Sequence, residues 1–363
     1  MHIPDGYLSP STCATMYAGA APFWYVALRR LKRTLDARMI PLLSLMSAFC
    51  FVVMMFNLPL PGGTTGHAVG VGIAAILLGP WASMVAISIA LLVQAVFFGD
   101  GGITCYGANC FNMAIVGSLA AYGMYRAVAG RSALTAPRRI VAAALGGYVA
   151  INLSALCAAI EFGIQPALFH DAMGAPLYAP YRLGIAIPAM LAGHLTFAGI
   201  AELVISGGMV AYLQRADPGL LRRTAPGAIA SGAKVEDFTG LRWLWIGLAA
   251  LMLATPLGLL AAGSAWGEWR GADFRNPETR QEIARASLQA APPREAPAGL
   301  QRLSAVWSAP MPDYAPRFLK SEALGYICSA VFGSGLLIMA WTLLGWGAGL
   351  LGQRRRAEAA RPR

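Results

Sequence analysis

Apolar residues gather in eight long runs, at 11–28, 39–58, 68–98, 111–128, 140–162, 183–213, 241–263 and 323–351. Several reach the ~20 residues needed to cross a bilayer core of about 30 Å. The pattern predicts an all-α integral membrane protein whose core is a helix bundle in lipid, where each helix satisfies its own backbone polar groups.

Composition fits that pattern. Hydrophobic residues make up 57% of the 363 and charged residues 12%, about half the charged share of a soluble domain. The net charge of +11 would suggest a nucleic-acid partner in a soluble protein, but its placement gives a different reading. Nineteen of the 28 Lys and Arg lie in four short segments, at 29–38, 126–139, 215–242 and the tail 354–363. The positive-inside rule puts these segments in the cytoplasm.

Orientation parity then constrains the spans. Run 39–58 leaves a cytoplasmic segment and ends outside, whereas run 111–128 must start outside to end at Arg126 inside. Residues 68–98 therefore cross twice or not at all, and Gly79-Pro80 divides them into a short half and a longer one. About nine spanning helices are expected, with the N-terminus outside and the C-terminus in the cytoplasm of a cell inner (plasma) membrane protein. Residues 1–214 are expected to form a seven-helix bundle, 215–240 a cytoplasmic linker, and 241–363 a two-helix module. The module's external loop, 264–322, carries eight basic and seven acidic residues. Its Pro, Ala and Arg content predicts little packed core of its own.

The N-terminus shows no basic n-region or cleavable signal. It reads Met1-His2-Ile3-Pro4-Asp5-Gly6-Tyr7-Leu8-Ser9-Pro10. Pro4 and Asp5-Gly6 enforce a turn, and Ser9-Pro10 reads as an N-cap and first helical residue. A bulky second residue hinders removal of Met1. The free α-amine and the His2 amide nitrogen close a five-membered chelate ring, and that amide with His2 Nδ1 closes a six-membered one. Three nitrogens then share a plane, a geometry suited to Ni(II) or Cu(II) and not to tetrahedral Zn(II). One in-plane position remains. Of the four histidines, His67 ends the Gly-rich external loop 59–67 and is the candidate fourth donor. The alternative is that His2 is incidental and His67 only caps a helix.

The stretches HIPDGYLSP, PGGTTGHAVGVGIAAILLGPWA and FFGDGGITCYGANCFNM closely resemble the substrate-capture subunits of cobalt/nickel energy-coupling-factor transporters, the CbiM/NikM family. The resemblance covers roughly residues 1–215. It implies metal ligation by the terminal amine, the second residue's amide and imidazole, and a loop histidine, which here are Met1, His2 and His67. TPLGLLAAGSAWGEW and PDYAPRFLKSEALGYICSAVFGSGLL resemble the small accessory subunit (CbiN/NikN-like) of the same importers. The implied partners are a transmembrane coupling subunit and ATPase subunits. The implied substrate is Ni(II) or Co(II), with no cofactor and no nucleic acid.

Asp5, Thr65 and Asn109 are candidates to support the ligands, since metal-bound His usually gives its other N–H to a neighbouring acceptor; each is also a plain turn former. His170-Asp171 could relay metal inward or be solvated loop residues. Glu202, eight residues from His194, reads as a structural hydrogen-bonding group or a contact with a partner subunit. Glu161 reads as a solvated residue near the external helix end. Cys105 and Cys110 flank an external loop where a disulfide is allowed, a departure from the family's small or apolar residues.

Three functional classes follow: a metal-capture subunit of a primary importer, a stand-alone divalent-metal channel or carrier, and an intramembrane metalloenzyme. A carrier predicts paired charges along a pore, and the midplane charges here are too few. A metalloenzyme lacks an HExxH motif. No GxxxxGK[ST] motif is present, so ATP hydrolysis falls to separate subunits. The external loop of the C-terminal module emerges on the side of Met1 and His67. It is expected to touch the metal-site loops through 265–269, setting loading rate more than affinity.

Overall fold

The computed structural model describes all residues except 36–38, 226, 229–238, 262, 317 and 360–363, and does not describe the side chains of 239–240 and 348–359. The middle of the expected linker and the end of the basic tail thus lie outside the described residues. The chain is almost entirely helical. In order it forms α1 (Pro10–Thr34), α2 (Met39–Met54), a hairpin of β1 (Leu58–Leu60) and β2 (Thr64–Gly66), α3 (Val71–Leu78), α4 (Pro80–Val93), α5 (Tyr106–Asn109), α6 (Gly117–Ala129), α7 (Pro137–Leu168), α8 (Leu183–Gly193) and α9 (Gly199–Ala216). There follow α10 (Gly219–Arg222), α11 (Thr239–Ala254), α12 (Pro277–Ala286), α13 (Ala298–Leu303) and α14 (Glu322–Ala359). π-Helical turns extend α4 to Phe98 and join α5 to α6 and α8 to α9.

Local chemistry sets the boundaries. Ser9 accepts the Thr12 amide and Pro10 opens α1, so the N-cap and first residue are those the sequence suggested. Gly79 takes φ 80° and Pro80 starts α4, which breaks the run at 68–98 where expected. Among the described residues, five helices are long and apolar enough to cross a membrane: Pro80–Phe98, Pro137–Leu168, Leu183–Ala216, Leu241–Leu260 and Glu322–Gly347. The protein is thus a multi-pass membrane protein. Met39–Met54 is apolar but shorter, and the eight residues of α3 rise only about 12 Å, so α3 alone cannot make the short crossing that parity asks for. Nine spans remain an expectation.

Two packing arrangements hold the elements. In the first, α7 lies between α6, α8 and α9 through small residues. A side chain on Gly146 would meet the Ala121 carbonyl at 2.9 Å, and one on Gly147 the Glu202 carbonyl at 3.0 Å, so the backbones approach closely, as small residues permit between membrane helices. In the second, α2 is covered by α4 on one side and by α11 and α14 on another. Trp341 of α14 donates to Ser47 at 2.8 Å, and Gly333 leaves room for the Phe51 ring. This double covering is why α2 is apolar all round.

The loop 264–322 departs from the expectation of little packed core. Trp266, Trp269, Phe274, Ile283, Leu300 and Tyr314 are buried, and Asn276 caps α12 by accepting the Glu278 and Thr279 amides. The aromatic residues pack on the first half of the chain: Trp266 lies edge-on to Phe162 at 5.8 Å and tilted against Tyr181 at 6.1 Å. Average composition conceals this because a few large aromatics supply the buried area.

Glu202 is fully buried on α9, and its carboxylate accepts the amides of Val69 and Gly70 at 2.8 Å each and of Gly72 at 3.0 Å. It thereby fixes the segment between His67 and α3, and its role is the structural one. Leaving several buried amides unsatisfied costs about 1–3 kcal/mol each. Glu202→Ala is expected to lower the apparent unfolding temperature in detergent by several degrees, with Glu202→Gln intermediate because it keeps one acceptor oxygen. An unchanged transition in Glu202→Ala would remove the assigned role.

Candidate metal centre

Residues 1–9 form a strap held through Ile3, Asp5, Tyr7 and Ser9. Asn109 accepts the Ile3 amide at 2.8 Å and donates to the Ile3 carbonyl at 3.1 Å. Gly102 donates to the same carbonyl at 2.9 Å. Asp5 accepts the Ile103 and Thr104 amides at 3.1 and 2.7 Å and also bonds the Thr104 hydroxyl. Tyr7 donates from its hydroxyl to the Trp269 carbonyl at 2.7 Å, and Gln165 accepts the Ser9 amide at 3.0 Å. Gly101 (φ 84°) brings its loop against the His2 side chain, and a side chain on Gly102 would collide with Asp5. Asp5 and Asn109 therefore act on the strap's backbone and loop partners.

The strap delivers Met1 and His2 to a buried position, with exposures of 2% and 1%. The His2 and His67 rings stack with centroids 5.0 Å apart. His67 follows β2, whose Thr65 pairs with Pro59 of β1 and bridges to Ala265, with the Thr65 amide donating to the Ser264 carbonyl at 3.3 Å. Thr65 thus contributes through its backbone pairing. His67 Nδ1 lies 3.0 Å from the Ala68 carbonyl, which favours the Nδ1–H tautomer and leaves Nε2 as a lone-pair donor. Burial, then electrostatic interaction with His2 and the terminal amine, push the His67 imidazole well below its ordinary value, so it stays neutral and able to ligate.

Two carboxylates face the other donors. The Met1 amine donates to Glu268 Oε1 at 3.1 Å. His2 Nδ1 lies 2.7 Å from Asp100 Oδ1, a short charge contact, yet neither His2 ring nitrogen has a well-aligned hydrogen-bond partner among the described residues. Burial raises the Asp100 carboxyl, but His2 outweighs it and holds the group below the usual carboxylate range. Tyr314 reaches Asp100 Oδ2 at 2.5 Å. Burial, then the Asp100 charge, pushes that phenol well above its usual value, so it acts as a proton donor. A buried imidazole with two poorly paired nitrogens, beside a second imidazole and an α-amine, fits a cation with nitrogen preference. Among the described residues no three His, Cys, Asp or Glu side chains suffice to hold a metal by themselves, so metal capacity needs the amine and backbone.

Asp100, Glu268 and Tyr314 escaped the sequence reading as individual residues. Asp100 stands between two glycines, and Glu268 between the two tryptophans of 265–269. His170 and Asp171 are not brought to the site; they lie in a loop where His170 Nδ1 is 3.1 Å from the Asp171 carbonyl. His194 is buried, with Nδ1 2.8 Å from the Met190 carbonyl and Nε2 without a hydrogen-bond partner among the described residues. Glu161 is buried and accepts from Asn112 at 2.9 Å; it is not a solvated helix end. Cys105 faces Cys13, with Sγ atoms 3.7 Å apart, and all six cysteines are free thiols. The Cys105–Cys110 pairing allowed by sequence is absent because α5 turns the two residues apart.

The family model for the cobalt uptake substrate-specific transmembrane region, CbiM, matches residues 2–220. The chain belongs to the CbiM family. A second model, the PDGLE domain, matches residues 241–351. The CbiM relatives include the fused nickel transport protein NikMN of Rhodobacter capsulatus, 52% identical over 98% of this chain and all of that protein. They also include the probable fused nickel transport protein LarMN of Lactiplantibacillus plantarum, 40% identical over 91% of this chain and 93% of that one. A crystal structure of a transition metal transporter superposes with a TM-score of 0.56 at 51% identity, covering 59% of this chain and 93% of that one.

Two substitutions test the donor set. Extending the N-terminus by one Ala converts the Met1 amine to an amide, and His67→Ala removes the second imidazole. Each is expected to weaken Ni(II) binding by at least about 100-fold, since a lost ligand costs several kcal/mol. His170→Ala is expected to have no effect and His194→Ala a smaller one. Equal losses from all three histidine variants in calorimetry of the detergent-purified chain would instead indicate a distributed path.

Proposed function

We propose that this CbiM-family protein binds Ni(II) or Co(II) at the external membrane face and delivers it for ATP-driven uptake as the substrate-specific subunit of an energy-coupling-factor importer. The ligands are the Met1 amine, the His2 amide and Nδ1, and His67 Nε2. The observation that carries this reading is the buried His2–His67 pair beside the terminal amine, with the His2 nitrogens lacking aligned partners. The full-length similarity to proteins named as fused nickel transporters favours nickel as the principal substrate. Residues 1–214 serve as the capture domain, 215–240 as the cytoplasmic linker and 241–363 as the accessory module, with nine spans, the N-terminus outside and the C-terminus inside. ATP hydrolysis and coupling come from separate subunits in the same inner membrane.

The test is uptake of radioactive nickel by cells expressing the chain alone or with an ATPase and a coupling subunit, beside Ni(II)–Co(II) competition on the purified protein. Uptake only with the added subunits is expected. ATP-independent uptake by the chain alone would favour a stand-alone carrier.

Acidity provides a second check. Ligation requires an unprotonated α-amine and imidazole, whose ordinary values are about 7.7–8.0 and about 6.5, together with a deprotonated amide. Proton competition therefore weakens binding as pH falls. His67 is held neutral, well below its ordinary value, by burial. Affinity is expected to drop steeply between about pH 7 and about pH 5, with protons released on binding. A flat affinity over that range would contradict nitrogen ligation.

A further inference from the structure

The two donor nitrogens that meet carboxylates both do so under the influence of residues beyond 241. Glu268 belongs to that part of the chain and touches the Met1 amine. Asp100 belongs to the first part, but its second oxygen is held by Tyr314 at 2.5 Å and by Gln94 at 3.2 Å, while Gln94 also donates to the Tyr314 hydroxyl at 2.8 Å. Tyr314 is aimed from several directions. Its ring stacks on Phe98 with centroids 4.8 Å apart, and its carbonyl accepts the Ser329 hydroxyl at 2.9 Å. Asp313 and Tyr314 have φ values of 55° and 60°, left-handed conformations that persist in non-Gly residues only where the surroundings over-determine them. Here the strain places a phenol on the carboxylate beside His2.

A divalent cation among neutral nitrogens in a buried pocket lacks compensation for the water it gives up. The nitrogen set supplies at most one negative charge, through the amide. Two carboxylates within contact distance of two of the donors supply two more. Without metal they face the amine and His2; with metal, the same charges oppose the cation.

We propose that the metal centre is completed by the accessory module. Glu268 supplies counter-charge at the amine, and Tyr314 is a positioning residue that holds Asp100 against His2. The inference rests on the metal-centre reading above and deepens it. Neither residue is a ligand; they set how well four nitrogens tolerate a doubly charged ion. The module then contributes to affinity and not only to loading rate.

The test is Ni(II) calorimetry on the full-length chain in detergent, with the visible ligand-field band recorded on the same samples. Glu268→Gln and Tyr314→Phe are each expected to weaken binding about tenfold, as partners of buried charges do, with the band unchanged and the metal-free unfolding temperature retained. Glu268→Asp should recover most of the affinity by restoring the charge. Tyr314→Phe should lose its effect in an Asp100→Asn background, a coupling that a purely structural role for Tyr314 would not show. If Glu268→Gln and Tyr314→Phe bind as wild type while His67→Ala loses binding, this inference fails and the metal centre stands. A shifted band in Glu268→Gln overturns the counter-charge role by making Glu268 a ligand. Wild-type binding by His67→Ala overturns the metal centre itself.

Discussion

A chain terminus is usually the loosest part of a protein, but here Met1 and His2 are buried, as the proposed metal site requires. An α-amine can share a metal with its neighbouring amide and imidazole only if all three are held in one plane while water is kept out. The strap is anchored at Ile3, Asp5 and Ser9 rather than at the proposed donor atoms. Asn109 and Gly102 bind Ile3, Asp5 binds the 103–104 turn, and Gln165 binds Ser9. These bonds leave the amine and the His2 ring free of other strong obligations, apart from the two carboxylates.

His67 is held by a similar division of labour. Its approach is a two-stranded hairpin bridged to Ala265, and its exit is pinned by three amide bonds to Glu202. Non-helical backbone is costly where water is scarce, and is tolerated when buried protein groups satisfy it. Glu202 does so from a helix, at 130 or more residues' distance in sequence. The proposed metal centre is thus supported by the strap from one side and by α9 from the other.

The second half of the chain closes the site. Trp266 and Trp269 wedge beside Tyr7, Phe162 and Tyr181, and the Tyr7 hydroxyl bonds the Trp269 carbonyl. Covalent fusion raises the effective concentration of such a partner, which suits an interface built from a few aromatics and single polar contacts. The α2 helix shows the same dependence: it is apolar on every side because α11 and α14 cover the face that the first six runs leave open.

Sequence alone determined whatever is local in origin. Hydropathy set the helical class, Ser9-Pro10 and Gly79-Pro80 set helix boundaries, and Met1-His2 carried the expectation of a chelate, since ring size follows from covalent connectivity. What needed the tertiary structure were the contacts whose partners lie far apart along the chain. Nothing near Asp100 announces Tyr314, nothing near Glu268 announces Met1, and the Cys105 thiol faces Cys13 rather than its nearer neighbour Cys110. Glu161 looked solvated because its position along the helix was legible but the neighbouring Asn112 was not. Donor chemistry is carried by single residues and can be read in one dimension; charge compensation is carried by pairs, and only the folding of the bundle decides which residues become pairs.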